Sequence, residues 1–148
     1  MTKNGTEFDF ATLDLAVATD KPYEFEIRHP VTDDGLGVFV SVIGADSATF
    51  QGYMRERVNR ARQEAMRRKG KEEVVTVEQE ETEILTAVAS CMTGWRTVKD
   101  GKSEPHIVIA GEQLAFSQAN ALRWLRQFKW VRQQVNDATA DLSNFIGA

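Results

Sequence analysis

The sequence predicts a mostly α-helical domain of the α+β class, with three to four helices and an amino-terminal β-hairpin. Apolar residues recur at helical spacing in three stretches, near residues 50–65, 84–92 and 121–145. One early stretch, residues 21–43, instead shows the alternation of apolar and polar side chains that is typical of strands. Helices repeat every 3.6 residues and strands every two, so these periods distinguish the two kinds of element.

The composition indicates one folded domain. Of the 148 residues, 42% are hydrophobic and 27% are charged, which is typical of globular rather than disordered chains. The single cysteine, Cys91, cannot form an internal disulfide, which favours a reducing cytoplasm. No apolar run reaches the ~20 residues of a membrane span, and the start lacks the layout of a signal peptide. We therefore expect a soluble intracellular protein without a membrane partner.

The first residues are expected to lie apart from the domain. Residues 1–20 alternate loosely between apolar and polar side chains, which suits an extended arm or a short strand. Terminal segments are often disordered unless they dock on the rest of the protein. We expect an arm over residues 1–20, free to be flexible, and a single domain over residues 21–148.

The β-hairpin is predicted at about residues 21–43. Aromatic or aliphatic residues alternate with glutamates over residues 23–27, which indicates a half-buried strand. The Pro, Asp and Gly residues of 29–35 are typical of a turn, and a second apolar run follows at 38–43. An isolated hairpin is marginally stable in water, so we expect it to pack on another element.

The next predicted helix is amphipathic and strongly basic. One face is apolar, with spacings of three and four: Phe50, Met54, Val58, Ala61 and Ala65. The other face carries seven cations: Arg55, Arg57, Arg60, Arg62, Arg67, Arg68 and Lys69. We expect this helix to end near Gly70. The charge then changes sign, with six glutamates between residues 72 and 83, which can neutralise the arginines within the fold or across a subunit boundary.

A third helical stretch is predicted from about Glu78 to Met92. It is expected to bury Ile84, Leu85 and Val88, with Gly94 as its carboxyl-terminal stop. Residues 97–113 then form a connection rich in Gly, Lys and Ser, in which residues 107–109 have the composition of a short strand.

The last predicted helical region begins at Ser117, which is a good N-cap. Ala121, Leu122 and Leu125 follow at helical spacing. From Val131 the apolar residues recur at alternating intervals of four and three almost to the end of the chain. This stripe is too short for an autonomous coiled coil, so it is expected to dock on its own domain.

Nothing in the sequence indicates catalysis, a metal or a cofactor. Cys91, His106 and Asp100 are residue types found in nucleophilic triads, but Cys91 lies on an apolar helical stripe, where cysteine behaves as a small hydrophobe. His29 and His106 have no further ligand at metal-binding spacing. No glycine-rich loop leads from a strand into a helix, so no nucleotide site is predicted. We expect a protein that is not an enzyme.

The carboxyl-terminal half resembles the tail assembly chaperones of long-tailed bacteriophages. Members of that family share a Gly-Trp turn after a helix, a Phe-Ser-x-x-Asn helix start, a Trp-Val pair and a final Asn-Phe. Here those elements are Thr93-Gly94-Trp95, Phe116-Ser117-Gln118-Ala119-Asn120, Trp130-Val131 and Asn144-Phe145. The resemblance covers about residues 84–148. Lys129 stands where many members have a proline.

The resemblance implies a non-enzymatic protein of the bacterial host cytoplasm that is absent from the mature virion. Such chaperones bind the tape measure protein, help to recruit the tail tube protein and work as oligomers. The candidate partner-binding residues are five aromatic and three basic side chains: Trp95, Trp124, Phe128, Trp130, Phe145, Arg55, Arg60 and Arg67.

Two alternatives remain open from the sequence. One is another small assembly protein of the phage head–tail connection or neck. The other is a nucleic-acid-binding regulator that uses the basic helix over residues 55–69, because a row of cations can follow phosphates. A net charge of −4 and the adjoining acidic block weigh against nucleic acid as the main partner.

Overall fold

A computed structural model describes residues 7–68 and 75–146 of the chain. The structure is α+β, with 51% helix and 25% strand, and its strands form two antiparallel sheets. In chain order the elements are α1 (Leu15–Ala18), β1 (Tyr23–Arg28), β2 (Gly35–Val42), α2 (Ala48–Arg68), α3 (Val77–Ser90), β3 (Met92–Lys99), β4 (Lys102–Glu104), β5 (His106–Ile109), β6 (Glu112–Ala115), α4 (Gln118–Gln127) and α5 (Lys129–Ala140), with 3-10 turns at Phe10–Leu13 and Leu142–Asn144.

The prediction of a mostly helical domain is wrong. The hairpin is present as β1 and β2, but it is half of a four-stranded antiparallel sheet in the order β1-β2-β3-β4. A second hairpin, β5-β6, packs beside β3, where the Trp95 indole N–H donates to the Leu114 carbonyl at 3.1 Å. The short strand expected at residues 107–109 is part of β5.

The stop predicted at Gly94 is also wrong, because α3 ends at Ser90 and Gly94 lies inside β3. A Cβ at Gly94 would meet nothing within 4 Å, so no close approach requires a glycine there. β3 pairs with the edge of β2 through backbone hydrogen bonds, and the Trp, Thr and Val residues of β3 favour a strand. Tertiary pairing therefore decides the conformation of this segment.

Three helical segments cover the inner face of the main sheet. α4 and α5 bury Leu125, Val131 and Val135, each at most 1% exposed, and α3 adds Leu85. Ser117 caps α4 as predicted, since its hydroxyl accepts from the Asn120 N–H at 3.1 Å. The helical region breaks between α4 and α5, where Phe128 has an extended backbone. The single core of the domain lies between these helices and the sheet.

The segment expected to be an extended arm or a strand is helical where it is described. Asp9 caps the first 3-10 turn and Asp14 caps α1, each through its carboxylate. Thr19 then joins this segment to the domain: it is fully buried, and its carbonyl accepts from the Gly44 N–H at 2.7 Å. A Cβ at Gly44 would lie 2.6 Å from the Thr19 Cβ, so this junction requires glycine. Residues 1–6 lie outside the described residues.

Candidate protein-docking surface

Two of the five candidate aromatic residues are core residues. Trp95 and Trp124 are 7% and 6% exposed. Their rings meet edge to face with centroids 5.3 Å apart, and Phe116 packs on Trp95 in the same way at 5.0 Å. Such pairs stabilise a core beyond the area that they bury. In this structure these two rings are not accessible to a partner.

The other three aromatic residues lie closer to the surface. Phe145 packs against Tyr23, with ring centroids 6.0 Å apart, and is partly buried at the edge of the core. Phe128 lies at the break between α4 and α5, 6.5 Å from the Trp130 ring. Trp130 is 36% exposed. Of the five rings predicted to bind a partner, Trp130 therefore offers the largest fraction of its surface.

The basic helix is confirmed as α2, and it differs from the other long helices. It has 21 residues, which corresponds to a length of about 30 Å, yet none of its residues is buried. Val58 is 47% exposed and Met66 is 78% exposed. A surface helix of a globular protein normally buries one apolar stripe. The stripe of α2 is left largely uncovered by the described part of the chain.

The candidate arginines of α2 differ from Arg57 in their contacts. The Arg57 guanidinium contacts the Glu83 carboxylate of α3 at 2.8 Å. Within residues 7–68 and 75–146, none of the three candidate arginines forms an ion pair: Arg55, Arg60 and Arg67. The predicted neutralisation by the acidic block is seen at the contact between Arg57 and Glu83, and Lys69 and the glutamates at 72 and 73 lie outside the described residues.

Helix α3 packs antiparallel beside α2 and supplies the opposite charge. It carries four glutamates and no basic residue, and its first turn is closed by a capping box between Thr76 and Gln79. It also exposes apolar side chains, with Val77 at 76% and Ile84 at 59%. The prediction that Ile84 is buried is wrong, because Ile84 lines an open recess between α3 and α5 together with Arg132.

A groove runs between the two helices, and we call it the α2–α3 groove. Its volume is about 470 Å³, and it is lined by Tyr53, Met54 and Ala61 on α2 and by Thr82 and Thr86 on α3. Arginines and glutamates line its rims. Apolar side chains edged by charge are the features that a groove for an amphipathic helix requires.

The described residues offer little for catalysis. Cys91 is 2% exposed, and burial raises the pKa of its thiol to about 11, so the reactive thiolate does not form near neutral pH. No group of three His, Cys, Asp or Glu side chains in the described ranges is placed to hold a metal ion. Among the helices that the structure describes, none is long and apolar enough to cross a membrane.

Comparison with protein-family models, with curated proteins and with solved structures finds no match to this chain. Its function must therefore be inferred from its own geometry. Sequence reasoning identified the basic helix but missed the exposed Val77 and Ile84. These two residues are seven apart, a spacing that places them on one face of α3, and this signal was present in the sequence.

Proposed function

We propose that the chain is a non-enzymatic assembly factor that binds an amphipathic helix of a partner protein. More specifically, we propose that the chain is a tail assembly chaperone of a long-tailed bacteriophage. It would keep the tape measure protein soluble in the bacterial host cytoplasm, help to recruit the tail tube protein, and be absent from the mature virion. The observation that carries the proposal is the uncovered apolar stripe of α2 beside the acidic α3.

The hydrophobic effect makes this stripe a binding surface. Fully burying one Val or Met side chain is worth about 1.5–3 kcal/mol, and the α2–α3 groove offers Met54 and Val58 together. A tape measure protein is a long helical chain, so it presents many apolar stripes that need cover before the tail tube forms around it. A groove between two helices matches such a stripe in shape and polarity.

The opposite charges of α2 and α3 give the partner helix a direction. α2 carries six arginines against two glutamates, whereas α3 carries glutamates alone. A client helix with acidic residues on one flank and basic residues on the other is favoured in one orientation and repelled in the other. Exposed charges act mainly on association rate and specificity, so the affinity comes from the apolar floor.

The exposed, unpaired arginines of α2 also favour a second candidate, a nucleic-acid-binding regulator. Arg55, Arg60 and Arg67 can each contact a phosphate, and such binding weakens steeply with salt. The glutamates of α3 lie beside these arginines, as the contact of Glu83 with Arg57 shows, and repel a phosphate backbone. We therefore rank this function below helix binding.

Co-expression tests the two functions directly. The full chain is produced with the tape measure and tail tube proteins of the same genome and then captured by a tag at low and high salt. The groove variant Ala61→Arg places a long cation in the α2–α3 groove, and the control Gln63→Arg adds the same cation at an exposed position of α2 that lies outside the apolar stripe and outside the groove.

We expect the tape measure protein to become soluble and to co-purify with the wild type and with Gln63→Arg, but not with Ala61→Arg. Retention of the client by both variants would exclude the groove as its site. Capture of nucleic acid at low salt, with neither phage protein retained, would replace helix binding with the regulatory function.

A further inference from the structure

We propose that segment 7–18 of one molecule docks on the outer flank of α2 of a second molecule, so that copies associate head to tail. The outer flank is the side of α2 with an apolar floor of Phe50, Met54 and Val58 and a basic rim of Arg55 and Arg62. It encloses a recess of about 600 Å³. The outer flank shares Met54 and Val58 with the α2–α3 groove, but self-association needs no client, so its failure and the failure of the proposed function are distinguishable.

Segment 7–18 exposes an unusual amount of apolar surface. Phe8, Phe10, Leu13 and Val17 are 51%, 80%, 49% and 62% exposed. The Phe8 and Phe10 rings pack on each other at 4.8 Å but on no core residue of the described chain. Contiguous exposed apolar side chains of this kind mark interaction sites.

The backbone of the segment is nevertheless held in place. The Asp9 carboxylate accepts from the Ala11 N–H at 2.9 Å, and the Asp14 carboxylate accepts from the Ala16 N–H at 3.1 Å. The buried Thr19 fixes the end of the segment against Gly44. The apolar side chains are therefore presented to solvent by a defined backbone.

The two surfaces are complementary in charge. Segment 7–20 carries four carboxylates and no basic residue: Glu7, Asp9, Asp14 and Asp20. The rim of the outer flank is supplied by Arg55 and Arg62, and neither forms an ion pair within the described residues. Opposite charges on two patches steer their encounter and fix their register.

A second copy is the occupant that the structure favours. In the described part of one molecule the segment does not cover the outer flank: Val58 is exposed and Phe50 and Met54 are only half-buried, although caps and the Thr19 junction define the position of the segment. Because the two patches differ, the contact is heterologous. Repeated contacts of this kind extend into an open chain or close into a ring, the smallest of which is a dimer.

Sedimentation velocity of the full chain over a wide range of concentration tests the proposal. The segment variant is Phe10→Ser, the flank variant is Arg55→Glu with Arg62→Glu, and the control is Arg60→Glu with Arg67→Glu. The control makes the same charge change on the same helix, away from the outer flank. We expect self-association to weaken by at least about tenfold in the first two variants but not in the control.

Mixing the segment and flank variants gives a second readout, because each retains the surface that the other has lost. We expect the mixture to form one-to-one dimers that grow no further. The proposal is overturned if the wild type stays monomeric at all concentrations. A segment that docks on α2 of its own molecule would give this result. It is also overturned if the control weakens association as much as the flank variant, or if the mixed variants do not pair.

Discussion

Helix α2 and the pair α4–α5 have similar lengths and similar apolar spacing, but they differ in what they bury. α4 buries three residues and α5 buries four, whereas none of the 21 residues of α2 is buried. Periodicity shows that a helix has an apolar face, and it does not show what covers that face. In α4 and α5 the cover is the sheet, and for α2 we propose that it is another molecule.

The difference has an energetic consequence. Most helices in proteins depend on tertiary packing, because isolated helices are marginal in water. α4 and α5 have that packing, whereas α2 contacts α3, as in the pair of Arg57 and Glu83, without burying any of its own residues. We therefore expect the stability of the fold to depend on the carboxyl-terminal helices, and α2 to be stabilised mainly when a partner binds.

The largest effect should come from the buried aromatic residues. Trp124→Ala leaves a cavity beside Trp95 and should lower the free energy of unfolding by about 3–5 kcal/mol. Trp130→Ala removes a ring that is 36% exposed, so we expect a loss of about 1 kcal/mol. Urea denaturation of both variants measures the difference. Equal losses would mean that Trp130 belongs to the core.

Two glycines of the main sheet, Gly37 and Gly94, differ in the space available for an added side chain. Gly37 has φ +76°, and a Cβ there would lie 2.9 Å from the Val98 carbonyl oxygen. Gly37→Ala should therefore cost about 1–3 kcal/mol. Gly94→Ala meets open space and should change the free energy of unfolding by no more than about 0.5 kcal/mol. Thermal unfolding compares the two, and a large loss in Gly94→Ala would show that the sheet face is covered.

A smaller effect is expected at the ion pair on the sheet. The Arg96 guanidinium contacts both Glu24 carboxylate oxygens, at 2.7 and 2.8 Å, and lowers the pKa of Glu24 below its usual value. A lowered pKa stabilises the fold above the unfolded pKa, and this contribution is lost as pH falls through the folded pKa. Since both groups are partly exposed, we expect Glu24→Gln to cost less than about 1 kcal/mol at neutral pH.

The pH dependence provides the control for that ion pair. The gap in stability between wild type and Glu24→Gln should close as the pH falls below the usual pKa of a glutamate, and denaturant midpoints measured from neutral to acidic pH would follow it. A gap that persists at the acidic end would mean that the variant disturbs packing rather than charge.

The smallest effect should come from α2. Val58→Ala on α2 should change the free energy of unfolding by no more than about 0.5 kcal/mol, because Val58 is 47% exposed. The same substitution at Val131, which is 1% exposed, should cost about 2 kcal/mol. Denaturation of both variants at low protein concentration makes the comparison. An equal loss of stability at Val58 and at Val131 would mean that the apolar face of α2 is buried within the molecule.

The sequence predicted the elements that local signals determine. The hairpin of β1 and β2, the basic helix, the N-cap at Ser117 and the short strand near residue 107 are all present. Two hairpins were missed although each has a turn signal. The pairs Asp100-Gly101 and Ala110-Gly111 have positive φ, and Asp-Gly is a strong hairpin sequence.

The rest depended on tertiary contacts that sequence spacing does not contain. Trp95 was predicted to follow a helix, but the edge of β2 draws its segment into the sheet. Of the candidate docking residues, Trp95 and Trp124 are in the core, while Arg55, Arg60 and Arg67 are exposed on α2 as expected. Aromatic residues form cores and interfaces alike, so their spacing did not separate the two roles.

Amide hydrogen exchange of the full chain at low and high protein concentration tests the central claim most directly. We predict that α2 exchanges much faster than α5 in the dilute protein, because few tertiary contacts oppose its opening. We also predict that α2 gains protection at high concentration, or with a helical client, while α5 does not change. Protection of α2 equal to that of α5 in the dilute monomer would contradict the account, since α2 would then be part of the stable fold.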